Sequence, residues 1–185
     1  MLILASASPR RRELLTMAGL SFSCIPSHVE ESVPEGTPAD RIPVLLSAQK
    51  AADVFSAHPE DLVLGADTIV AVDGQILGKP KDAEDAARML RLLSGRMNTV
   101  YTGVTLMDKN GTESFCSYAN VTFYELTEQE IRDYVDSGEP LDKAGAYGIQ
   151  GKGALLVRHI EGEFFTIVGL PLAETVRRIR KRGGR

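Results

Sequence analysis

Short apolar segments alternate with longer amphipathic segments along this chain, and that alternation limits the possible folds more than any other feature. Compact apolar runs are typical of buried strands, whereas apolar residues spaced three and four apart are typical of helices. Strands are predicted at residues 2–5, 22–25, 62–67, 69–72, 75–77, 99–107 and 113–124. Helices are predicted from Pro9, over 45–55, from Asp82 to Ser94, from Thr127 to Ser137 and from Leu172. This order indicates the α/β class, with all 185 residues in one domain.

Turn residues predict how several of these elements connect. Asp73-Gly74 is a strong hairpin signal, and Asn110-Gly111 joins the two long strands as an antiparallel pair. Another hairpin is expected to turn at Glu161-Gly162. The start of the 45–55 helix stays open, because Thr37-Pro38 and Ile42-Pro43 both resemble helix starts.

Charge and composition exclude some functions. The net charge of −4 argues against a general nucleic-acid binder, although residues 177–182 are strongly basic. We expect those cations to lie at the solvated end of a helix that Gly183 and Gly184 terminate.

No apolar run approaches the ~20 residues of a membrane span, and no signal peptide is recognisable, so a cytoplasmic protein is expected. Cys24 and Cys116 are interpreted as core thiols, with a metal or catalytic role as the alternative.

The turn after the first strand combines two arginines with a helix start. Ser8 is a good N-cap and Pro9 suits the first helical position, which places Arg10 and Arg11 in the first turn. The helix dipole disfavours cations there unless an anion is bound. A phosphate site is therefore predicted, and a capped helix with solvated arginines is the alternative.

Carboxylates and a lysine in a turn are further candidates for a catalytic, metal-binding or anion-binding role. Asp67 is expected to terminate a buried strand, where ligands of α/β proteins collect, although it could simply cap the next turn. Glu30 and Glu31 lie in a polar loop, and such oxygen ligands suit Mg²⁺. Lys79 stands in the turn Gly78-Lys79-Pro80, where its side chain could reach an anion.

The segment 143–153 has too many glycines for the interior of a helix or strand, so its backbone could approach a ligand closely. Gln150 within it offers donors and acceptors that suit the edge of a base. A flexible surface loop is the alternative. The three histidines lack metal-ligand spacing, and the chain has neither a nucleophile elbow nor a Walker A motif.

Five motifs occur together in this order: Ser6-Ala7-Ser8-Pro9-Arg10-Arg11, Gly65-Ala66-Asp67-Thr68, Gly78-Lys79-Pro80, Leu93-Ser94-Gly95-Arg96 and Lys143 to Gly151. With them, the chain from about Leu2 to Pro171 resembles the Maf family of nucleoside triphosphate pyrophosphatases. The resemblance implies a cytoplasmic protein, commonly a homodimer. It also implies a mixed twisted sheet with flanking helices, bilobed around a central cleft, as in inosine triphosphate pyrophosphatase.

The same resemblance implies residue roles. Asp67 matches the proton acceptor, and Glu31 with Asp67 would hold Mg²⁺ or Mn²⁺. The polar and phosphate-binding positions fall on Ser6, Arg10, Arg11, Lys50 and Lys79. The specificity positions are Arg11, Thr68 and Gln150, a combination similar to the branch that hydrolyses dTTP and UTP to the monophosphate and pyrophosphate. CTP or modified pyrimidine nucleotides are further candidates. The alternative is a nucleotide-binding regulator that inhibits septum formation in dividing cells.

Overall fold

The computed structural model describes residues 1–183, so the predicted role of Gly184 in ending the last helix lies outside the described residues. The strands are β1 (Leu2–Leu4), β2 (Phe22–Cys24), β3 (Leu62–Val72), β4 (Gln75–Leu77), β5 (Met97–Asp108), β6 (Gly111–Phe123) and β7 (Val157–Gly162). The α-helices are α1 (Pro9–Met17), α2 (Ile42–Ala57), α3 (Ala83–Leu93), α4 (Glu128–Asp136), α5 (Phe164–Val168) and α6 (Leu172–Lys181). Within the described residues, three 3₁₀ helices span Glu139–Asp142, Ala144–Ala146 and Gly151–Leu156.

The strands follow the order β2-β1-β3-β5-β6-β7, with β4 paired to β3. β1 is parallel to β2 and β3, whereas β4 is antiparallel to β3 and β7 is antiparallel to β6. Side-chain hydrogen bonds join Thr99 to Asn120 and Thr105 to Ser114, so β5 and β6 run in opposite directions, as predicted. The sheet is therefore mixed, and the predicted α/β class is confirmed.

The chain forms two compact units. Unit 1 comprises Met1–Asp67, Thr102–Ser117 and the chain from Gly169 onward, and unit 2 comprises Thr68–Tyr101 and Tyr118–Val168. Each unit has its own apolar cluster. The cluster of unit 1 contains Ile3, Ala5, Ala51, Val54 and Val63, and that of unit 2 includes Val70, Leu90, Leu93, Phe123, Ile131 and Tyr147.

Several predicted local features are present. Ser8 caps α1 with Pro9 in its first turn, Asp82 caps α3, and Thr127 with Glu130 forms a capping box on α4. Asp73 and Gly74 both have positive φ, as the tight turn between β3 and β4 requires. The open alternative for the second helix is settled in favour of the later start, because α2 begins at Ile42.

Strand β3 corrects one prediction: it does not end at Asp67 but continues to Val72. The residues beyond Asp67 include β-branched Thr68, Ile69 and Val70, which favour extended backbone, and the pairing with β4 extends the strand. The predicted hairpin at Glu161-Gly162 is also wrong. β7 ends there and α5 follows, with the Glu163 carboxylate accepting hydrogen bonds from the backbone and hydroxyl of Thr166.

The cysteines and the basic end of the chain also differ from expectation. Cys24 is exposed on β2, so it is not a core thiol. Cys116 is half-buried, and burial raises the pKa of its thiol to about 11. The basic end of α6 is not merely solvated, because Arg178 pairs with Glu113 and Arg182 pairs with Asp108.

Within residues 1–183, no helix has the length and apolar character needed to cross a bilayer.

Candidate active site

The turn between β1 and α1 is organised around Arg11. The Ser6 hydroxyl oxygen accepts hydrogen bonds from Ser8 N and from Arg11 Nη1, each at 3.2 Å. Arg11 Nε donates to the backbone oxygen of Gly169 at 2.8 Å. Arg11 is only 9% exposed, so it is not the solvated arginine that the alternative interpretation required, whereas neighbouring Arg12 is exposed.

Burial lowers the pKa of the Arg11 guanidinium from its usual value. The negative charge of Asp67 opposes this shift, the positive charge of Arg10 adds to it, and Glu31 opposes it. An arginine nevertheless keeps its proton near neutral pH. The interior of unit 1 therefore holds a fixed positive charge whose field reaches both predicted carboxylates.

Lys50 joins those two carboxylates directly. Its Nζ lies 2.5 Å from Asp67 Oδ1 and 2.9 Å from Glu31 Oε1. The side chains of Lys50 and Asp67 are 17% and 13% exposed, whereas that of Glu31 is 48% exposed. The cluster thus has an inner carboxylate and an outer carboxylate that share one ammonium group.

Two glycines let α2 lie close to the sheet. A Cβ at Gly65 of β3 would lie 2.2 Å from the Ser47 oxygen and 3.0 Å from the Ala51 Cβ, and these α2 residues flank Lys50. A Cβ at Gly103 of β5 would lie 2.3 Å from the Pro43 oxygen in the first turn of the helix. Because side chains alternate along a strand, Gly65 and Asp67 share one face of β3. The close approach of α2 to this face brings Lys50 to Asp67.

The Glu31 loop is held by residues of α2 that were not predicted from the sequence. Asp53 Oδ2 accepts hydrogen bonds from the Ser27 hydroxyl at 2.7 Å and from His28 N at 3.0 Å. Gln49 bonds both backbone groups of Ser32, accepting from its N at 3.1 Å and donating to its oxygen at 2.6 Å. Gln49 and Asp53 are one helical turn apart in α2 and flank Lys50 in sequence. That i, i+4 spacing of polar residues was the available signal.

The other predicted site residues belong to unit 2. Lys79 is exposed two residues after the end of β4, and Gln150 is exposed at the start of a 3₁₀ helix. Their two motifs are linked, since Gly145 N donates to the backbone oxygen of Gly78 at 3.0 Å. Thr68 is half-buried and follows Asp67 in β3, so its side chain points to the opposite face of that strand.

A divalent metal at this site would need oxygen ligands from the protein. Among residues 1–183, no three His, Cys, Asp or Glu side chains are grouped to hold a metal ion by themselves. Glu31 and Asp67 nevertheless present carboxylate oxygens to one cationic group, Lys50 Nζ. Mg²⁺ is commonly held by one or two carboxylates together with substrate phosphates. The residues therefore fit a metal that the phosphates help to bind.

The chemistry available in unit 1 is that of an anion site beside a base. Arg10, Arg11 and Lys50 supply positive charge, and the first turn of α1 supplies a helix N-terminus. Asp67 supplies a carboxylate that can accept a proton. Such a combination suits hydrolysis of a phosphoanhydride.

Comparisons with known proteins show what this chain is similar to. A family model described as Maf-like protein matches residues 1–182. A dTTP/UTP pyrophosphatase of Bacillus cytotoxicus is 54% identical over 97% of this chain and 94% of its own length. A dTTP/UTP pyrophosphatase of a Geobacillus species is 50% identical over 98% of each chain. The solved structure of a nucleoside-triphosphatase / dITP/XTP pyrophosphatase from Mycobacterium abscessus gives a TM-score of 0.46 at 15% identity, covering 98% of this chain and 95% of that one.

Proposed function

This chain belongs to the Maf-like family, and from that membership we propose that it hydrolyses dTTP and UTP to the nucleoside monophosphate and pyrophosphate. Relatives at about half identity over nearly the full length carry that activity in their names. The observation that carries the proposal is the contact of one half-buried ammonium group, Lys50 Nζ, with both Asp67 and Glu31.

In the proposed reaction, Asp67 accepts a proton as water attacks the α-phosphorus. The bond from the α-phosphorus to the bridging oxygen then breaks, and pyrophosphate leaves with that oxygen. Lys50 contacts Asp67 through Oδ1, so it fixes the carboxylate in place and leaves the proton to be accepted at the other oxygen. A positioned general base of this kind contributes on the order of 10²- to 10⁴-fold to a rate.

Glu31 and Asp67 would hold Mg²⁺ or Mn²⁺ together with phosphate oxygens of the substrate. When bound, the metal would neutralise phosphate charge and act as a Lewis acid. Arg10, Arg11 and Lys50 would stabilise the negative charge that develops on the departing pyrophosphate. Lys79 is the further phosphate-binding position that the family resemblance implies. Ser6 would orient Arg11 for this task, since its hydroxyl accepts a hydrogen bond from Nη1.

We assign recognition of the pyrimidine to Gln150, with Thr68 and Arg11 as the other specificity positions. The uracil and thymine edges present an N–H donor between carbonyl acceptors, and a carboxamide can pair with both kinds of group.

We further propose that the protein works as a cytoplasmic homodimer, with all 185 residues as one domain, and has no role in binding nucleic acid or membranes. Sedimentation equilibrium checks the dimer.

The test is product analysis over a panel of ordinary and modified nucleoside triphosphates. We expect pyrophosphate, with little orthophosphate, from dTTP and UTP in the presence of Mg²⁺ or Mn²⁺. Asp67→Asn should lower turnover by on the order of 10² or more while the protein stays folded. The matched control is Asp136→Asn at an exposed position of α4, which should leave turnover unchanged. Binding of triphosphates without any hydrolysis by the wild-type protein would favour the septum-inhibiting regulator instead.

A further inference from the structure

We propose that Glu139 is the positioning residue for Gln150: its carboxylate fixes the loop 148–153 and so sets the selectivity for the base. This inference deepens the proposed function and rests on it, because Gln150 must read the base. Glu139 lies in unit 2, just after α4, at the start of the first 3₁₀ helix.

The Glu139 carboxylate binds backbone amide groups two and three residues after Gln150. Oε2 accepts a hydrogen bond from Lys152 N at 2.9 Å, and Oε1 accepts one from Gly153 N at 3.1 Å. Oε1 also accepts a hydrogen bond from the Tyr134 hydroxyl at 3.0 Å. One side chain thereby holds two consecutive amide groups of the loop.

Tyr134 completes the arrangement on the other side of Gln150. Its hydroxyl oxygen accepts a hydrogen bond from Gly148 N at 3.0 Å. Burial raises the pKa of the Tyr134 phenol above its ordinary range, so the hydroxyl stays neutral and can both donate and accept. The backbone on both sides of Gln150 is therefore tied to one tyrosine–glutamate pair, while the side chain of Gln150 itself is exposed.

The glycines of the loop allow this close approach. A Cβ at Gly151, where φ is +73°, would lie 2.7 Å from Glu139 Oε2. A Cβ at Gly153 would lie 2.1 Å from the Gly148 oxygen and 2.7 Å from the Tyr134 hydroxyl. The glycines of this segment therefore allow the loop to pack closely against Glu139 and Tyr134.

The charge state of Glu139 matches its partners. Burial alone would raise the pKa of its carboxyl, but the N–H groups of Gly153 and Lys152 and the Tyr134 hydroxyl outweigh burial and lower it. An ionised carboxylate only accepts hydrogen bonds, and all three of these partners are donors. A carboxamide at this position would turn an NH₂ group toward at least one N–H or O–H donor. Glu139→Gln should therefore release part of the loop although its shape is nearly unchanged.

The experiment compares Glu139→Gln and Tyr134→Phe with two exposed control changes in unit 2, Glu161→Gln and Tyr124→Phe. We expect the ratio of kcat/KM for UTP to kcat/KM for GTP to fall roughly 5- to 30-fold in the first pair, the scale for losing one or two hydrogen bonds. The controls should stay within twofold of wild type. Hydrogen exchange at the Lys152 and Gly153 amides should accelerate in Glu139→Gln without any nucleotide present.

A double-mutant cycle separates positioning from general stability. If Glu139 acts through Gln150, then Glu139→Gln should change selectivity little once Gln150→Leu is present. Equal proportional losses for UTP and GTP in Glu139→Gln, or additive effects on selectivity in the double mutant, would overturn the inference. Failure of the proposed function would give other results. Either Gln150→Leu alone would leave the UTP/GTP selectivity unchanged, or the wild-type protein would hydrolyse neither nucleotide.

Discussion

Replacing Gly65 with alanine should separate Lys50 from Asp67 without altering either residue. The added methyl carbon would lie 2.2 Å from the Ser47 oxygen and 3.0 Å from Ala51 N and Cβ, all of them on α2. The nearest of these atoms is backbone, so no flexible side chain can turn away. The clash can be relieved only by moving α2 away from β3.

The size of the movement follows from the distances. Raising the closest contact from 2.2 Å to 3.0 Å, about the shortest that real side chains show, needs a shift of roughly 0.8 Å. Overpacking of this kind costs about 1–3 kcal/mol of folding free energy. For a chain of this size that corresponds to a fall in Tm of about 2–12 °C. A misplacement near 1 Å can lower a rate about 10²-fold, so we expect kcat to fall on the order of 10- to 100-fold.

The assay measures Tm by circular dichroism and kcat for UTP at a temperature where every variant is folded. Gly78→Ala is the stability control, because a Cβ there meets nothing within 4 Å. Gly103→Ala is the positioning control, since its clash is with Pro43, about two turns of α2 before Lys50. It should lower Tm by a similar amount but lower kcat less than Gly65→Ala does. A Gly65→Ala protein with wild-type Tm and kcat within twofold of wild type would refute the argument.

Three further changes test other parts of unit 1. Gln49→Ala removes two hydrogen bonds from the Glu31 loop and should raise the Mg²⁺ concentration for half-maximal activity about 10-fold, measured by metal titration. Arg11→Lys removes the planar guanidinium and its Nε hydrogen bond to the Gly169 oxygen. KM for the triphosphate should therefore rise about 10- to 100-fold in steady-state assays. Burial would raise the pKa of Glu113, but its arginine partners outweigh burial and lower it below 4.5. Its stabilisation is therefore present above about pH 4.5 and lost as the pH falls through the lowered pKa, and Glu113→Gln should flatten the fall of Tm below about pH 4.5.

Local chemistry made much of the fold predictable. Ser8 with Pro9, and Thr127 with Glu130, satisfy the free backbone groups of a helix start within a few residues, so their effect needs no tertiary context. Asp73-Gly74 likewise specifies its turn through backbone conformation alone. These features could be predicted because both partners of each interaction are neighbours in sequence.

The length of β3 and the arrangement of the site could not be predicted in this way. The sequence Gly65-Ala66-Asp67 resembles the end of a strand, but pairing with neighbouring strands carries β3 on to Val72. Glycine at position 65 looks like a breaker in the sequence, whereas in the structure it is the point where α2 approaches the sheet. The Lys50–Asp67 contact, 17 residues apart, depends on that approach. The roles of Gln49 and Asp53 are equally tertiary, since they bind a loop without regular structure.

The buried acceptor of Arg11 has a consequence for biosynthesis. Arg11 Nε donates to the backbone oxygen of Gly169, 158 residues further along the chain, and unit 1 is assembled from three separate segments. The ribosome synthesises Arg11 long before Gly169. The guanidinium therefore cannot be buried against the Gly169 oxygen until the last of these segments has emerged. A chain arrested before Gly169 would thus carry every carboxylate and lysine assigned to the reaction and still lack the fixed arginine. Triphosphate binding should consequently appear only late in translation, after the segment that begins at Gly169 has been released.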